Sequence, residues 1–184
     1  EQAKLYYLQA HNNYQLNLRE FADWIVANSI TSALIINPGN PTGQLHSLDE
    51  MKDFLNSMRH LRMVIVDESF IDFAGEKLPS LLPCIQQYQN LVVVRSMSKH
   101  CGIPGLRLGY CVTANSDLLQ KIRSSIPVWN INTIAEYFLT QLYPTDELYH
   151  VARKQVIADV HYLYTELKQI TGFFVYPTGS NFVL

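Results

Sequence analysis

Three continuous runs of apolar residues, at positions 33–36, 63–66 and 91–94, stand out along the chain. Such runs are typical of strands buried on both faces of a parallel sheet. Residues 5–8 form a shorter strand candidate near the start. A further apolar run at 108–112 follows a stretch with no helical pattern. We expect it to run antiparallel to the strand before it, because a parallel return needs a crossover connection, usually a helix.

Amphipathic patterns between these runs predict helices. Asn17 with Glu20, and Ser47 with Glu50, have the residue types and spacing of helix N-termini. Three more helices are predicted at 118–123, 133–142 and from Thr145 to a C-cap at Gly172. Residues 173–176 and 181–184 read as two closing strands.

The alternation of strands and helices predicts an α/β fold, a three-layer, mostly parallel sheet flanked by helices. Residues 1–144 are assigned to the central part of a large domain. Residues 145–184 are assigned to a connecting helix and the beginning of a small α+β C-terminal domain, because so long a helix suits a connector. The chain begins without methionine and ends on three apolar residues, so we expect a piece of a longer polypeptide.

Composition narrows the function classes. Of the 184 residues, 48% are hydrophobic and 16% charged, as in a globular protein with a sizeable core, and the formal net charge is −2. Without a basic run, neither nucleic acid nor an anionic membrane surface is expected as a partner. No apolar run approaches the roughly 20 residues of a membrane helix. The three cysteines and six histidines show no metal-ligand or disulfide spacing, and a cytoplasmic location is the default expectation.

The densest chemistry lies around Lys99, which follows the run at 91–94. Ser96 and Ser98 stand just before it, and glycines and a proline follow, so we predict that the lysine lies on a turn-rich loop. Arg107 closes this segment. Hydroxyl groups, backbone amides and a guanidinium suit a phosphate group, and an amine beside them suits a cofactor bound as an imine. By itself, the segment is equally consistent with an ordinary surface lysine.

Two other segments also follow apolar runs: NPGNPTG at 37–43 and DESF at 67–70. Together with SMSK at 96–99 and Arg107, they resemble the pyridoxal-phosphate (PLP) aminotransferases of fold type I. The resemblance is strongest to the histidinol-phosphate aminotransferase branch and its phosphothreonine-decarboxylase-like relatives. It extends from the first strand to the closing SNFVL, which is nearly the whole chain.

The resemblance assigns a role to each matching position. Lys99 would be the catalytic residue, binding PLP as an imine and carrying a proton to and from the substrate. Asp67 would pair with the pyridine nitrogen of the cofactor, and Asn40 would donate to its ring hydroxyl oxygen. The phosphate would be bound by Ser96, Ser98 and Arg107.

One residue departs from the family pattern. Phe70 stands where many of these aminotransferases have a tyrosine that bonds the ring oxygen, so decarboxylation stays open beside amino transfer. His100 and Cys101, which adjoin the lysine, are interpreted as bystanders. Trp129 is interpreted as a core residue.

The resemblance implies amino transfer between an amino acid, or an amino-acid-derived phosphate such as histidinol phosphate, and a 2-oxo acid. The first alternative is a PLP-dependent decarboxylase of a phosphorylated amino acid, and the second is a non-catalytic binding or assembly domain. The family also implies a homodimer for the full-length protein. Because further family site segments would lie before Glu1 and after Leu184, we expect this chain by itself to be an incomplete catalyst.

Overall fold

The computed structural model describes residues 3–142 and 146–184. Among them, four strands form one sheet in the order β1–β2–β3–β4. Strands β1 (Ser32–Ile36), β2 (Met63–Asp67) and β3 (Leu91–Ser96) are parallel, whereas β4 (Gly109–Thr113) is antiparallel to β3. The predicted antiparallel return is therefore confirmed.

Helices lie between and after these strands. The α-helices of the described part are α1 (Leu18–Ala27), α2 (Leu48–Ser57), α3 (Met97–His100), α4 (Ser116–Ser125), α5 (Thr133–Leu142) and α6 (Asp146–Leu167). Short 3₁₀ segments cover Ala10–Asn12, Ile71–Phe73, Leu82–Gln87 and Pro104–Leu106. The architecture is the predicted α/β fold, a mostly parallel sheet flanked by helices.

The helix starts follow the predicted capping chemistry. The Asn17 side chain accepts hydrogen bonds from the backbone N–H groups of Arg19 and Glu20, at 3.0 and 3.2 Å. Ser47 and Glu50 form a complete capping box, in which each side chain bonds the other's backbone N–H. Both predicted caps are confirmed.

The main core fills the space between one face of the sheet and helices α1 and α2. The rings of Phe21 on α1 and Phe54 on α2 stack with centroids 5.9 Å apart. Alternate residues of the parallel strands point into this core: Ala33, Ile35, Val64, Val66, Leu91 and Val93. This alternation determines which residues of each strand face the helices.

Strand β1 is an edge strand of the sheet, and its second face is open. Leu34 is 57% exposed and Ile36 is 37% exposed, and both line a groove of about 1060 Å³. The prediction that the run at 33–36 is buried on both faces is therefore wrong. Within the described residues, no helix packs over these two side chains.

Several predicted elements differ from the structure at the two ends of the chain. Residues 5–8 form no strand; Tyr6 packs on Phe21 and Trp24, while Leu5 and Tyr7 stay exposed. Residues 173–176 and 181–184 form no strands either, although the Tyr176 N–H donates to the Leu184 carbonyl at 2.9 Å.

The end of the long helix also differs from the prediction. Helix α6 ends at Leu167, and Gly172, predicted as its C-cap, instead takes a left-handed φ of 91° in the turn beyond. The predicted helix start at Thr145 and the boundary between residues 144 and 145 lie outside the described residues. The division into two domains stays a prediction.

None of the helices in the described ranges is long and apolar enough to cross a bilayer.

Candidate functional site

The three parallel strands end level with one another, at the C-terminal end of the sheet. Ile36 lies opposite Asp67, and Asp67 lies opposite Val94. Two backbone bonds extend the ladder past these residues, from Asn37 N–H to the Asp67 carbonyl and from Glu68 N–H to the Val94 carbonyl. Asn40, Asp67 and Lys99 therefore all lie at or beyond the C-terminal ends of the strands, where ligands bind in open α/β folds.

The loop that carries Asn40 has a fixed base and an exposed tip. The buried Asn37 side chain bridges the loop, donating to the His46 carbonyl at 3.2 Å and accepting from the His46 N–H at 2.9 Å. A bond from Gly43 N–H to the Gly39 carbonyl closes the turn. Asn40 itself is exposed, so its amide is presented to solvent on a braced loop.

Asp67 is the last residue of the central strand β2 and is half-buried. One of its carboxylate oxygens, Oδ1, accepts a hydrogen bond from the Ser69 N–H at 2.9 Å. This local bond holds the carboxylate at the strand end. The position suits a negatively charged partner for a protonated ring nitrogen.

Lys99 lies in the single helical turn α3, not on the irregular loop that the sequence predicts. Four residues without glycine or proline, Met97 to His100, are enough for one turn, and Gly102 leaves it with a left-handed φ of 67°. The exposed amine of Lys99 lies 5.3 Å from the ring centroid of Phe70. Phe182 packs edge-on against the same ring, with centroids 5.2 Å apart.

The predicted phosphate ligands flank this turn. Ser96 is half-buried at the end of β3 and Ser98 is buried in α3. A bond from Met97 N–H to the Leu108 carbonyl, at 3.1 Å, brings the segment with Arg107 alongside. Arg107 is exposed, has a left-handed φ of 57° and donates to the Pro104 carbonyl at 3.0 Å.

The chemistry of this set fits PLP. The carboxylate ends β2, the amide and the amine follow β1 and β3, hydroxyl groups flank the amine in sequence, and a guanidinium lies on the adjacent segment. These are the groups that can hold an aldehyde, a pyridinium nitrogen, a ring oxygen and a phosphate. The assignment of individual residues stays a prediction. The described residues contain no group of His, Cys, Asp and Glu arranged to hold a metal ion.

A buried ion pair under the site was missed by the sequence analysis. Glu68 is 1% exposed and accepts from the Arg95 guanidinium at 3.0 and 3.2 Å, from the Ser80 hydroxyl at 2.7 Å and from the Leu81 N–H at 2.7 Å. These four donors compensate the carboxylate for its lost hydration. An arginine directly after a buried apolar run was the one available signal, but its partner is distant in sequence.

Three further residues connect helix α6 to the same region. Arg153 donates to the backbone carbonyls of Asp72 and Gly75. The ring of Tyr149 meets that of His100 edge-on, with centroids 5.4 Å apart. Burial, reinforced by the nearby Asp72 carboxylate, raises the pKa of the Tyr149 hydroxyl well above its ordinary value. His100, interpreted from the sequence as a bystander of Lys99, therefore has contacts of its own with α6.

Trp129 is also placed differently from the expectation. Its side chain is 93% exposed and its backbone has a left-handed φ of 60°. The interpretation as a core residue is wrong, because the segment around it lies outside the packed elements.

Comparisons with known proteins agree with this geometry. The model of the aminotransferase class I and II family matches residues 1–184. An L-serine phosphate decarboxylase of Sulfurospirillum multivorans is 33% identical over 96% of this chain and 46% of its own length. A histidinol-phosphate aminotransferase of Clostridium novyi is 31% identical over 94% of this chain and 47% of its own.

A solved structure of a decarboxylase from Sulfurospirillum multivorans superposes with a TM-score of 0.86 at 32% identity. The alignment covers 97% of this chain and 52% of that one. The chain thus spans about half the length of the relatives it matches. The cofactor predicted from the sequence, PLP, is the cofactor of this group of proteins.

Proposed function

Because the chain belongs to the class I and II aminotransferase family, we propose that it carries the cofactor-binding residues of a PLP-dependent enzyme acting on a phosphorylated amino acid. The observation that supports this most directly is that three parallel strands end side by side, with Asp67 as the last residue of β2 and with Asn40 and Lys99 in the segments that follow β1 and β3. Bound PLP supplies an electron-accepting ring that stabilises negative charge on the substrate Cα.

In this proposal each residue has one task. Lys99 would hold the cofactor through its amine, and the same amine would hold a proton for transfer to and from the substrate. Asp67 keeps the ring nitrogen protonated, and Asn40 orients the ring through its oxygen. Ser96, Ser98 and Arg107 bind the phosphate, for which a guanidinium offers two parallel donors.

Decarboxylation of a phosphorylated amino acid is the reaction that we place first. The relative that is 33% identical is named an L-serine phosphate decarboxylase, and the solved structure with the TM-score of 0.86 is named a decarboxylase. Phe70 supports the same choice. Its ring offers no hydroxyl group at a position where many aminotransferases of the family have a tyrosine, so the cofactor ring is held by fewer donors.

Amino transfer between a phosphorylated amine, such as histidinol phosphate, and a 2-oxo acid is the second candidate. The histidinol-phosphate aminotransferase at 31% identity supports it. The two reactions differ in their products. Full-length protein incubated with phosphoserine is expected to release CO₂, whereas amino transfer from histidinol phosphate to 2-oxoglutarate would yield glutamate.

The role of Lys99 is tested by covalent capture of the cofactor. Full-length protein is mixed with PLP and reduced with borohydride, and the modified lysine is identified by mass spectrometry. We expect capture at Lys99 in the wild type and its loss in Lys99→Ala. Lys121→Ala, which removes an exposed lysine of α4, is the matched control and should capture normally. Capture at other lysines alone would contradict the proposal.

A further inference from the structure

A buried polar cluster lies directly behind the turn that carries Lys99. We define it by four residues: Glu68, Asp72, Arg95 and His100. Arg95 is 8% exposed and joins the cluster together, bonding Glu68 at 3.0 Å on one side and approaching Asp72 at 3.6 Å on the other. Asp72 is itself 8% exposed. The cluster is therefore shielded from solvent. Electrostatic contacts are stronger in such an interior than in water.

The outer end of the cluster is unusual. His100 Nδ1 lies 3.4 Å from Asp72 Oδ2, within ion-pair distance. Both atoms are buried, and neither makes a hydrogen bond of good geometry to any described residue. Buried polar atoms are rarely left without a partner. A small rotation of either side chain would join them, so each is the available partner of the other.

The imidazole of His100 is held from its other side by helix α6. The Tyr149 ring packs edge-on against it at 5.4 Å. Arg153, one helical turn further along α6, donates to the backbone carbonyl of Asp72 itself. The same helix thus fixes both members of the His100–Asp72 pair.

His100 follows Lys99 directly and is the last residue of α3. The turn is closed by backbone bonds from the Cys101 N–H to the Met97 and Lys99 carbonyls and from the Gly102 N–H to the Lys99 carbonyl. A helix of one turn is not stable by itself. Its geometry, and with it the position of the Lys99 amine over Phe70, depends on what its side chains contact.

We propose that His100 is a positioning residue for Lys99: its contact with Asp72 fastens the turn to the buried polar cluster, and its contact with Tyr149 connects that turn to helix α6. This inference rests on the proposed role of Lys99 in binding PLP. It adds a residue, His100, to those that the family resemblance assigns.

Two variants of full-length protein separate the polar contact from the ring contact. His100→Asn retains a polar group at the position facing Asp72 but loses the ring. His100→Phe retains a ring against Tyr149 but has nothing to offer Asp72. His60→Gln, at an exposed histidine beyond α2, is the control. For each variant, the rate of borohydride capture of PLP at Lys99 and the thermal unfolding midpoint are measured.

We expect His100→Phe to slow capture roughly tenfold, the effect of one hydrogen bond to a charged group, and His100→Asn to restore most of the wild-type rate. The thermal unfolding midpoints of the variants should not rank in the same order as their capture rates. Equal capture in both variants and the wild type would overturn the proposal. So would rates that simply follow the unfolding midpoints, because His100 would then act only on folding.

A second readout does not depend on the cofactor. Hydrogen exchange at the amides of Cys101 and Gly102 reports the closing of the turn directly, and we expect it to be faster in His100→Phe than in His100→Asn. If wild type and control both fail to capture PLP, the proposed function is wrong, and the exchange rates alone decide the positioning role. If they capture PLP and exchange is the same in all variants, the positioning role is wrong.

Discussion

Phe70 shows how one side chain serves both the site and the packing around it. Its ring centroid lies 5.3 Å from the Lys99 amine and 5.2 Å from the centroid of the perpendicular Phe182 ring. An aromatic face attracts an ammonium group and so favours one position for a flexible lysine chain. Phe182 belongs to the C-terminal segment, residues 173–184, and its packing connects that segment to the Phe70 ring.

Replacing this ring should weaken cofactor binding without unfolding the protein. We expect Phe70→Leu to remove about 0.5–1 kcal/mol of interaction between the Lys99 ammonium group and the ring, the range for cation–π contacts at exposed sites. The PLP dissociation constant of full-length protein, measured by absorbance titration, should rise a few-fold. Phe173→Leu, which alters an exposed ring of the same segment, is the control. An unchanged constant in Phe70→Leu would show that the ring does not orient the amine.

His46 is a buried histidine at the base of the Asn40 loop. Its burial predicts that the protein is less stable at acidic pH. Burial lowers the pKa of its imidazole below the ordinary value, against a smaller opposing effect of Glu50. The unfolded chain therefore binds more protons than the folded one once the pH falls below the unfolded pKa of about 6.5, and stability rises with pH through this region.

Denaturant unfolding at pH 7.5 and 5.5 tests this sign. We expect the free energy of unfolding to fall on acidification, and the fall to be smaller in His46→Leu than in the wild type. His60→Leu, at an exposed histidine, should retain the full wild-type dependence. A His46→Leu profile parallel to the wild type would contradict the assignment.

At the scale of elements, the capping box of α2 is the clearest local device. Ser47 Oγ accepts from the Glu50 N–H at 3.2 Å, and the Ser47 N–H donates to Glu50 Oε2 at 2.8 Å. The helix it starts provides Met51, Phe54 and Leu55 to the core. A loss at the cap should therefore be felt in global stability.

We expect Ser47→Ala to lower the free energy of unfolding by about 1 kcal/mol, the typical effect of losing an N-cap. Chemical denaturation followed by circular dichroism measures it. Ser116→Ala changes an exposed serine inside the first turn of α4 and should have a much smaller effect. Equal effects of the two substitutions would mean that the capping box adds nothing.

Local signals explain which elements the sequence predicts. Apolar runs gave the strands β1, β2 and β3, and the Asn17 and Ser47 caps gave the starts of α1 and α2, because each depends on residues adjacent in the chain. The strands expected at 5–8 and 173–176 are absent because a strand also needs a partner in the sheet. The partner is a tertiary property that apolar patterning does not contain.

The candidate site divides in the same way. The segments around Lys99 and Asp67 are recognisable from their amino-acid sequence and from their position after apolar runs. The pairing of Glu68 with Arg95, and of Asp72 with His100, is not. These contacts join the segment that follows β2 to β3 and to the turn after it, and no local pattern relates their members.

At the scale of the whole molecule, helix α6 and the C-terminal segment together contact each of the three site segments. The Gly179 N–H donates to the Gly43 carbonyl at 2.8 Å, Phe182 packs on Phe70, and Tyr149 packs on His100. Residues after α5 are therefore part of what positions the residues at the sheet edge. A substitution that separates the two parts should show in both stability and local protection.

Gly43 is the position for that substitution, because it packs so closely against the C-terminal segment that a side chain would clash with it. A Cβ at Gly43 would lie 2.4 Å from Thr178 Oγ1 and 3.0 Å from Thr178 Cα, on a backbone with φ of 69°. The left-handed conformation alone costs a non-glycine residue about 1–2 kcal/mol. The clash with Thr178 comes in addition, since its backbone cannot move aside as a flexible side chain would.

Gly102→Ala is the matched control, because Gly102 has a φ of 67° and nothing within 4 Å of its would-be Cβ. We expect both substitutions to lower the free energy of unfolding, and Gly43→Ala to lower it more. Only Gly43→Ala should speed hydrogen exchange at the Gly179 amide, which bonds the loop directly. Equal losses of stability with unchanged exchange at Gly179 would mean that the C-terminal segment does not depend on this contact. The Phe182 and Tyr149 contacts would then connect this part of the chain to the site without it.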